Sequence, residues 1–188
     1  VELEDLHDRI QRVHQSNQSE HLRSYQDSKK IAQIQRPTAL VQHMLHPEVS
    51  GVAFSADPVS GRRQHCLVSA LWGTGSALVS GEADADAWTI DREHCIVETK
   101  IANKTQQHSR CPDSAEGVAL IDTPNDKCNI PCLINEQILA VADMARQCAE
   151  HFGCPKDIEW AYEKNLLYLL QSRPITTLAH TPDPDDPL

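Results

Sequence analysis

The segment that most constrains this chain is its closing stretch: Asp157-Ile-Glu159-Trp-Ala-Tyr162, then Leu166-Leu-Tyr-Leu-Leu-Gln171-Ser-Arg173-Pro-Ile-Thr176. Two runs of aromatic and aliphatic residues flank a short polar stretch, so the segment reads as a β-hairpin. Side chains alternate across a strand, which puts Asp157 and Glu159 on one face, about 7 Å apart. Ile158, Trp160 and Tyr162 take the other face, apolar enough to be core. On the second strand the same rule groups Leu167, Leu169, Gln171 and Arg173. Glu159 stands beside Gln171 only if paired residue numbers sum to an even value. That demands an odd-length loop, such as Lys164-Asn165-Leu166, because a two-residue loop puts Gln171 on the wrong face. Asn tolerates the left-handed conformation that a three-residue loop needs.

With that register the four polar side chains make a coherent set. Mg²⁺ takes one or two carboxylates, neutral oxygens and substrate phosphates. Glu159 supplies charge, Gln171 a carbonyl oxygen, and Arg173 a planar fork for phosphate. Asp157 fits a second metal ligand or a group that orients a neighbour. The plain alternative is a surface hairpin with an ordinary ion pair to Arg173.

The chain has 188 residues, enough for one domain, and begins at Val1, which leans towards a piece of something larger. A formal net charge of -10 argues against a nucleic-acid partner, which calls for a basic patch. No apolar run nears the roughly 18 residues of a membrane span, and the acidic start is no signal peptide. The seven cysteines are odd in number and scattered, which fits free thiols in a reducing, cytoplasmic setting. Cys128 and Cys132, around Pro131, lack a second ligand pair at zinc spacing.

Apolar spacing predicts a helix over 2–16 through Leu3, Leu6, Ile10 and Val13, and another over 20–35 that ends at Arg36-Pro37. His7, His14 and His21 fall seven apart, which reads as a surface stripe rather than a metal site. Strands are expected over Ala39–Leu45, Gly51–Ser55 and Cys66–Leu71, with a turn at Asp57–Arg63. Residues 87–91 and 96–100 read as a hairpin. Residues 103–133 read mostly as loop. A helix then runs from Asn135 as N-cap, with Ile138, Val141, Ala145, Cys148 or Ala149, and Phe152 on its apolar face, and ends at Gly153 before Pro155. The last seven residues hold three Pro and three Asp, the composition of a linker or tail over 179–188.

Several stretches resemble one family. The closing segment, Asp157-Ile-Glu159-Trp-Ala through Leu170-Gln171-Ser-Arg173-Pro-Ile-Thr176, is similar to the end of the nucleotide-binding domain of phosphoenolpyruvate synthase (pyruvate, water dikinase) and pyruvate phosphate dikinase, with rifampin phosphotransferase as a relative. Val41-Gln42-His43-Met44 resembles the family's hinge strand. Ser50-Gly51-Val-Ala-Phe-Ser-Ala-Asp57-Pro-Val-Ser-Gly61-Arg62 and Trp72-Gly73-Thr-Gly75-Ser-Ala-Leu-Val-Ser-Gly81-Glu82 resemble two further stretches. Pro131-Cys-Leu133 and His151-Phe-Gly153-Cys-Pro155 also fit. The likeness covers about residues 38–178, in order, with a helical lead-in over 1–37.

The resemblance implies an α+β ATP-grasp lobe, mainly antiparallel sheet with packed helices, forming part of a domain. It implies ATP against a hinge of Gln42, His43 and Met44, a metal pair of Glu159 and Gln171, Asp157 as the accompanying acid, and Arg173 as the phosphate-side and catalytic residue. For Met44 plain core packing stands as an equal alternative. The cofactors implied are ATP and Mg²⁺. The phosphoryl group would pass to a histidine on a swivelling domain, then to pyruvate. The glycine-rich part of the N-terminal ATP-grasp lobe and a Thr-Ser-His carrier site have no counterpart in these residues, so the expected partners are that lobe and a phosphohistidine domain. Thr74 and Ser76 stand where the family usually has Leu and Glu. Nothing resembling a Lys-Ser or Lys-Thr follows Gly73 and Gly75, so this is not a P-loop. Two alternatives remain: a non-catalytic module derived from the same fold, or a phosphotransferase with another acceptor, an antibiotic hydroxyl or a glucan.

Overall fold

A computed structural model describes residues 5–16, 38–79, 84–111, 114 and 117–178. They fall into two compact units, Val1–Met44 and Leu45–Leu188. The expected helix over 20–35 and the 179–188 tail lie outside the described residues.

In the first unit α1 (Leu6–Ser16) forms where the apolar spacing places it. Leu6 and Ile10 are half-buried and Val13 is exposed. The strand expected over Ala39–Leu45 does not form. Residues 38–47 belong to no strand; the His46 N–H donates to a side chain, Glu163 Oε1 at 2.6 Å, rather than to a paired strand. Leu40 is 82% exposed and Val41 59%, so the apolar run that resembled a strand covers no core.

The second unit is built on a six-stranded antiparallel sheet, ordered β4-β3-β2-β1-β7-β8. Its strands are β1 (Val49–Phe54), β2 (Cys66–Trp72), β3 (Asp86–Ile90), β4 (Ile96–Lys100), β7 (Lys156–Glu163) and β8 (Leu166–Pro174). The α+β class with antiparallel sheet is as expected. The β3–β4 turn is held by Asp91, whose Oδ1 accepts the N–H groups of Glu93 and Cys95 at 3.0 and 2.8 Å. A short helix, α2 (Ser76–Val79), follows β2.

Among the described residues, 103–133 are mostly loop and turn, as expected, but they also carry an unexpected hairpin, β5 (Gln106–Arg110) with β6 (Val118–Asp122). The polar run Gln106-Gln-His-Ser-Arg110 hides its strand, because its partner and a bridge from Gly73 to His108 supply the pairing.

α3 (Asn135–Phe152) covers one face of the sheet. Its buried residues, Ile138, Val141, Ala142, Ala145 and Cys148, meet Ala53, Val68, Trp88, Ile90, Ile158 and Trp160. Burying each large side chain in that layer stabilises the fold by about 1.5–3 kcal/mol. The helix starts one residue earlier than expected. Ile134, not Asn135, is the capping position, and its N–H donates to Gln137 Oε1 at 3.1 Å. Gly153, at φ 68°, ends the helix as predicted. Phe152 leaves the apolar face: it is 57% exposed, and the Lys156 ammonium lies 4.1 Å from its ring centre.

The opposite face of the sheet alternates out of this core. It presents Ser50, Val52 and Phe54 from β1, Leu67 and Ser69 from β2, and the odd-numbered residues of β7, as the cross-strand register requires.

Candidate functional site on the second face of the sheet

The β7–β8 hairpin carries the candidate residues, and its geometry differs from expectation in an informative way. Glu163 pairs with Leu166, so the loop has two residues, Lys164 and Asn165, at φ 50° and 62°. Positive φ at both centres matches the twist of the flanking strands. The Lys164 N–H donates to both carboxylate oxygens of Glu48, at 3.1 and 3.0 Å, which braces the turn. The expected odd-length loop is therefore wrong.

The apposition it was meant to secure is present all the same. Trp160 pairs with Leu169, and the next pair is Glu159 with Gln171, across a register shift. Leu170 is the extra residue of a β-bulge, and the bulge restores the parity that the even loop breaks. The shift also corrects the expected grouping of β8. Leu167 pairs with Tyr162 and Leu169 with Trp160, on the helix side, whereas Gln171 and Arg173 pair with Glu159 and Asp157 on the other.

Asp157 and Arg173 are in contact: Arg173 Nε donates to Asp157 Oδ2 at 2.7 Å. The Asp157 side chain is only 9% exposed and that of Arg173 60%. The hydrogen bond from the guanidinium to Asp157, the charge of that carboxylate and then the charge of Glu159 raise the Arg173 pKa above its usual value. Asp157 Oδ1 is buried with no hydrogen-bond partner among the described residues. A buried carboxylate oxygen left unpaired is costly, so this one is placed to receive a donor or a cation.

Beyond β1 the Asp57–Arg62 turn lies near the residues that follow β8, with Thr177 Oγ1 donating to the Pro58 carbonyl at 3.5 Å. Burial pushes the Asp57 pKa up, but hydrogen bonds from the Ser60 hydroxyl and the Val59 and Ser60 backbone outweigh it and hold the group below its usual value.

At the other end of the same face sits the glycine loop. Ser50 Oγ donates to the Gly73 carbonyl at 2.6 Å. Gly73 has φ +76°, and a Cβ there would lie 2.1 Å from the His108 carbonyl oxygen. Only glycine allows this approach between the loop and β5. Thr74 is buried, and its N–H donates to the His108 carbonyl at 2.8 Å.

Asp157, Glu159, Gln171 and Arg173 thus come together on one face. Gln42, His43 and Met44 belong to the first compact unit, where they are exposed and outside any strand. Sequence reasoning missed His108, which it left in a loop. The signal was Val118-Ala-Leu-Ile-Asp122, a short apolar run bounded by Gly117 and Thr123-Pro124, which implies a strand and hence a partner. Among the described residues no group of three or more His, Cys, Asp and Glu side chains is placed to hold a metal. Among the described residues no helix is long and apolar enough to cross a membrane.

The family described as "Pyruvate phosphate dikinase, AMP/ATP-binding domain" matches residues 1–186. A probable phosphoenolpyruvate synthase of Pyrococcus abyssi is 38% identical over 151 residues, which is 77% of this chain and 18% of that protein. The phosphoenolpyruvate synthase of Pyrococcus furiosus is 38% identical over 75% of this chain and 18% of its own length. The rifampicin phosphotransferase of Bacillus subtilis is 37% identical over 79% of this chain and 17% of its own length. The chain spans less than a fifth of the relatives it matches. With a match along nearly its whole length, it belongs to the pyruvate phosphate dikinase AMP/ATP-binding domain family.

Proposed function

We propose that this chain is one wall of an ATP-grasp nucleotide site in a phosphoenolpyruvate synthase-like dikinase. The observation that carries the reading is the bulge that sets Glu159 against Gln171, beside the Asp157–Arg173 pair, on the sheet face that α3 does not cover. The donor set fits Mg²⁺: one carboxylate and one neutral oxygen, with room left for phosphate oxygens. Glu159 and Gln171 would hold the ion, which when bound neutralises phosphate charge. Asp157 fixes Arg173 through Nε and leaves the Nη side of the fork for phosphate. Arg173 is the catalytic candidate, since phosphoryl transfer depends mainly on positioning and charge neutralisation. Gln42, His43 and Met44 would line the adenine as a hinge, in a nucleotide-binding region over 38–178.

In this reading the phosphoryl group leaves ATP for a carrier histidine outside these 188 residues and then reaches pyruvate. Proteins named for phosphoenolpyruvate synthesis and for rifampicin phosphorylation resemble the chain equally, at 38% and 37% identity, so the acceptor is set by other parts of the enzyme. The free cysteines suit a cytoplasmic enzyme. The retained Glu159, Gln171 and Arg173 favour a working site over a non-catalytic derivative.

Calorimetric titration tests the site. The chain should bind ATP weakly and better with Mg²⁺. Glu159→Gln and Gln171→Leu should each weaken Mg²⁺-dependent binding by about tenfold or more while leaving metal-free binding little changed. Undiminished Mg²⁺-dependent binding in both variants would sink the assignment.

A further inference from the structure

The glycine loop carries a polar pair that the nucleotide reading does not use. Ser76 Oγ lies 2.6 Å from His108 Nδ1, and Thr74 Oγ1 lies 3.2 Å from Ser76 Oγ. The main chain that carries the imidazole is fixed against the glycine loop. The His108 carbonyl accepts the Thr74 N–H, and His108 forms a bridge with Gly73. Ser76 is exposed while Thr74 is buried. A solvent-facing hydroxyl hydrogen-bonded to an imidazole that a second element positions is the arrangement of an activated nucleophile.

The pair also borders the candidate nucleotide face. Ser50, which binds Gly73, lies two positions along β1 from Val52, the residue opposite Glu159. At the rise of a β-strand that is about 7 Å along the sheet.

We propose that Ser76 is a phosphoryl-acceptor site, with His108 as its general base and a nucleoside triphosphate as donor. This rests on the nucleotide reading above. In the Nε2–H tautomer, His108 Nδ1 takes the Ser76 proton as Oγ bonds to the γ-phosphorus. The bond from that phosphorus to the β,γ-bridging oxygen breaks, and the nucleoside diphosphate leaves with the electron pair. The product is a phosphate ester. It survives acid, which hydrolyses the phosphorus–nitrogen bond of a phosphohistidine.

The full chain is incubated with Mg²⁺ and γ-labelled ATP, quenched in acid, and mapped by peptide mass spectrometry, with an ATP titration on the same samples. Acid-stable label is expected on Ser76. Ser76→Ala should lose it and Ser76→Thr should keep it. His108→Gln, which retains a hydrogen-bonding side chain without a base, should slow it by about tenfold or more. In nucleotide-free protein the His108 Nδ1 resonance should move on Ser76→Ala, a readout of the pair that needs no turnover. ATP binding without acid-stable label, label at other positions only, an unmoved resonance, or a His108→Gln variant as fast as the parent overturns the proposal alone. Absence of ATP binding overturns the nucleotide reading and this proposal with it.

Discussion

Asp86 and Asp157 each hold a basic side chain, Lys104 at 2.6 Å and Arg173 at 2.7 Å, on opposite faces of one sheet. Asp86, on the α3 side, uses both oxygens. Oδ1 accepts the Lys104 ammonium and the Ala102 N–H, and Oδ2 accepts the Cys132 N–H. Lys104 also donates to the Ala102 carbonyl. Both side chains are essentially out of solvent, at 1% and 0% exposure. Asp157 uses one oxygen and, among the described residues, keeps the other buried and unpaired, against a guanidinium that is mostly in solvent. The first pair ties β3 to the 101–105 and 131–133 segments and has nothing left to offer a ligand. The second is incomplete as a structural unit, and its unused oxygen and exposed fork are what a ligand site needs.

The largest expected effect tests the first half of that contrast. Asp86→Ala leaves a buried ammonium without its carboxylate and should cost about 3–5 kcal/mol in urea unfolding. Asp86→Leu combined with Lys104→Met should recover part of that loss, because no uncompensated charge remains. Asp157→Asn, with a mostly exposed partner, should cost under about 1 kcal/mol. Its effect should fall instead on Mg²⁺–ATP affinity, through a displaced Arg173. Equal losses of stability from Asp86→Ala and Asp157→Asn would erase the distinction.

Next in size is a pair of one-residue deletions in β8. Removing Leu170 takes out the bulged residue and leaves Gln171 opposite Glu159 and Arg173 opposite Asp157. Mg²⁺–ATP affinity should then stay within a few-fold of the parent. Removing Ser172 instead carries Arg173 opposite Ile158, onto the α3 side, and should weaken binding by about tenfold or more. The two shortened chains differ only in which residue is lost. If both behave alike in the titration, the open-face pairing is not what holds the nucleotide.

The same hairpin shows how far the sequence could be read. Composition and alternation placed both strands, and the chemistry of the four polar side chains required Glu159 beside Gln171. The means was illegible. Lys164-Asn165 makes a two-residue turn with both φ positive, and the compensating bulge at Leu170 has no glycine or proline to mark it. The α3 register was equally plain from Ile138, Val141, Ala145 and Cys148, while its cap was misassigned by one residue because Asn135 resembles a better cap than Ile134. The β5–β6 hairpin was missed because its first strand is wholly polar, and its pairing depends on residues far away in the chain. Asp86 and Lys104 attracted no attention as two ordinary charged residues; only their burial distinguishes them.

The smallest effect separates the two faces by pH. On the α3 side, burial pushes the Cys66 thiol up from 9.0 to about 12. The folded state therefore favours the neutral thiol, and the stability it gains is fully present below pH 9. It is lost as the pH rises from there towards 12, because only the unfolded chain releases the proton in that window. The loss at pH 10 comes to about 1 kcal/mol. Cys132, pushed up by burial and by the neighbouring Asp86 carboxylate, adds to it in the same direction. Unfolding free energies measured between pH 8 and 10 should fall more steeply for the parent than for Cys66→Ala. Arg173 behaves otherwise: its hydrogen bond to Asp157 and that carboxylate's charge raise its pKa above the ordinary guanidinium value, so it stays charged throughout this range. Mg²⁺–ATP affinity, measured where the protein is still folded, should therefore hold level while stability declines. If affinity and stability declined in step, the two faces would not be independent.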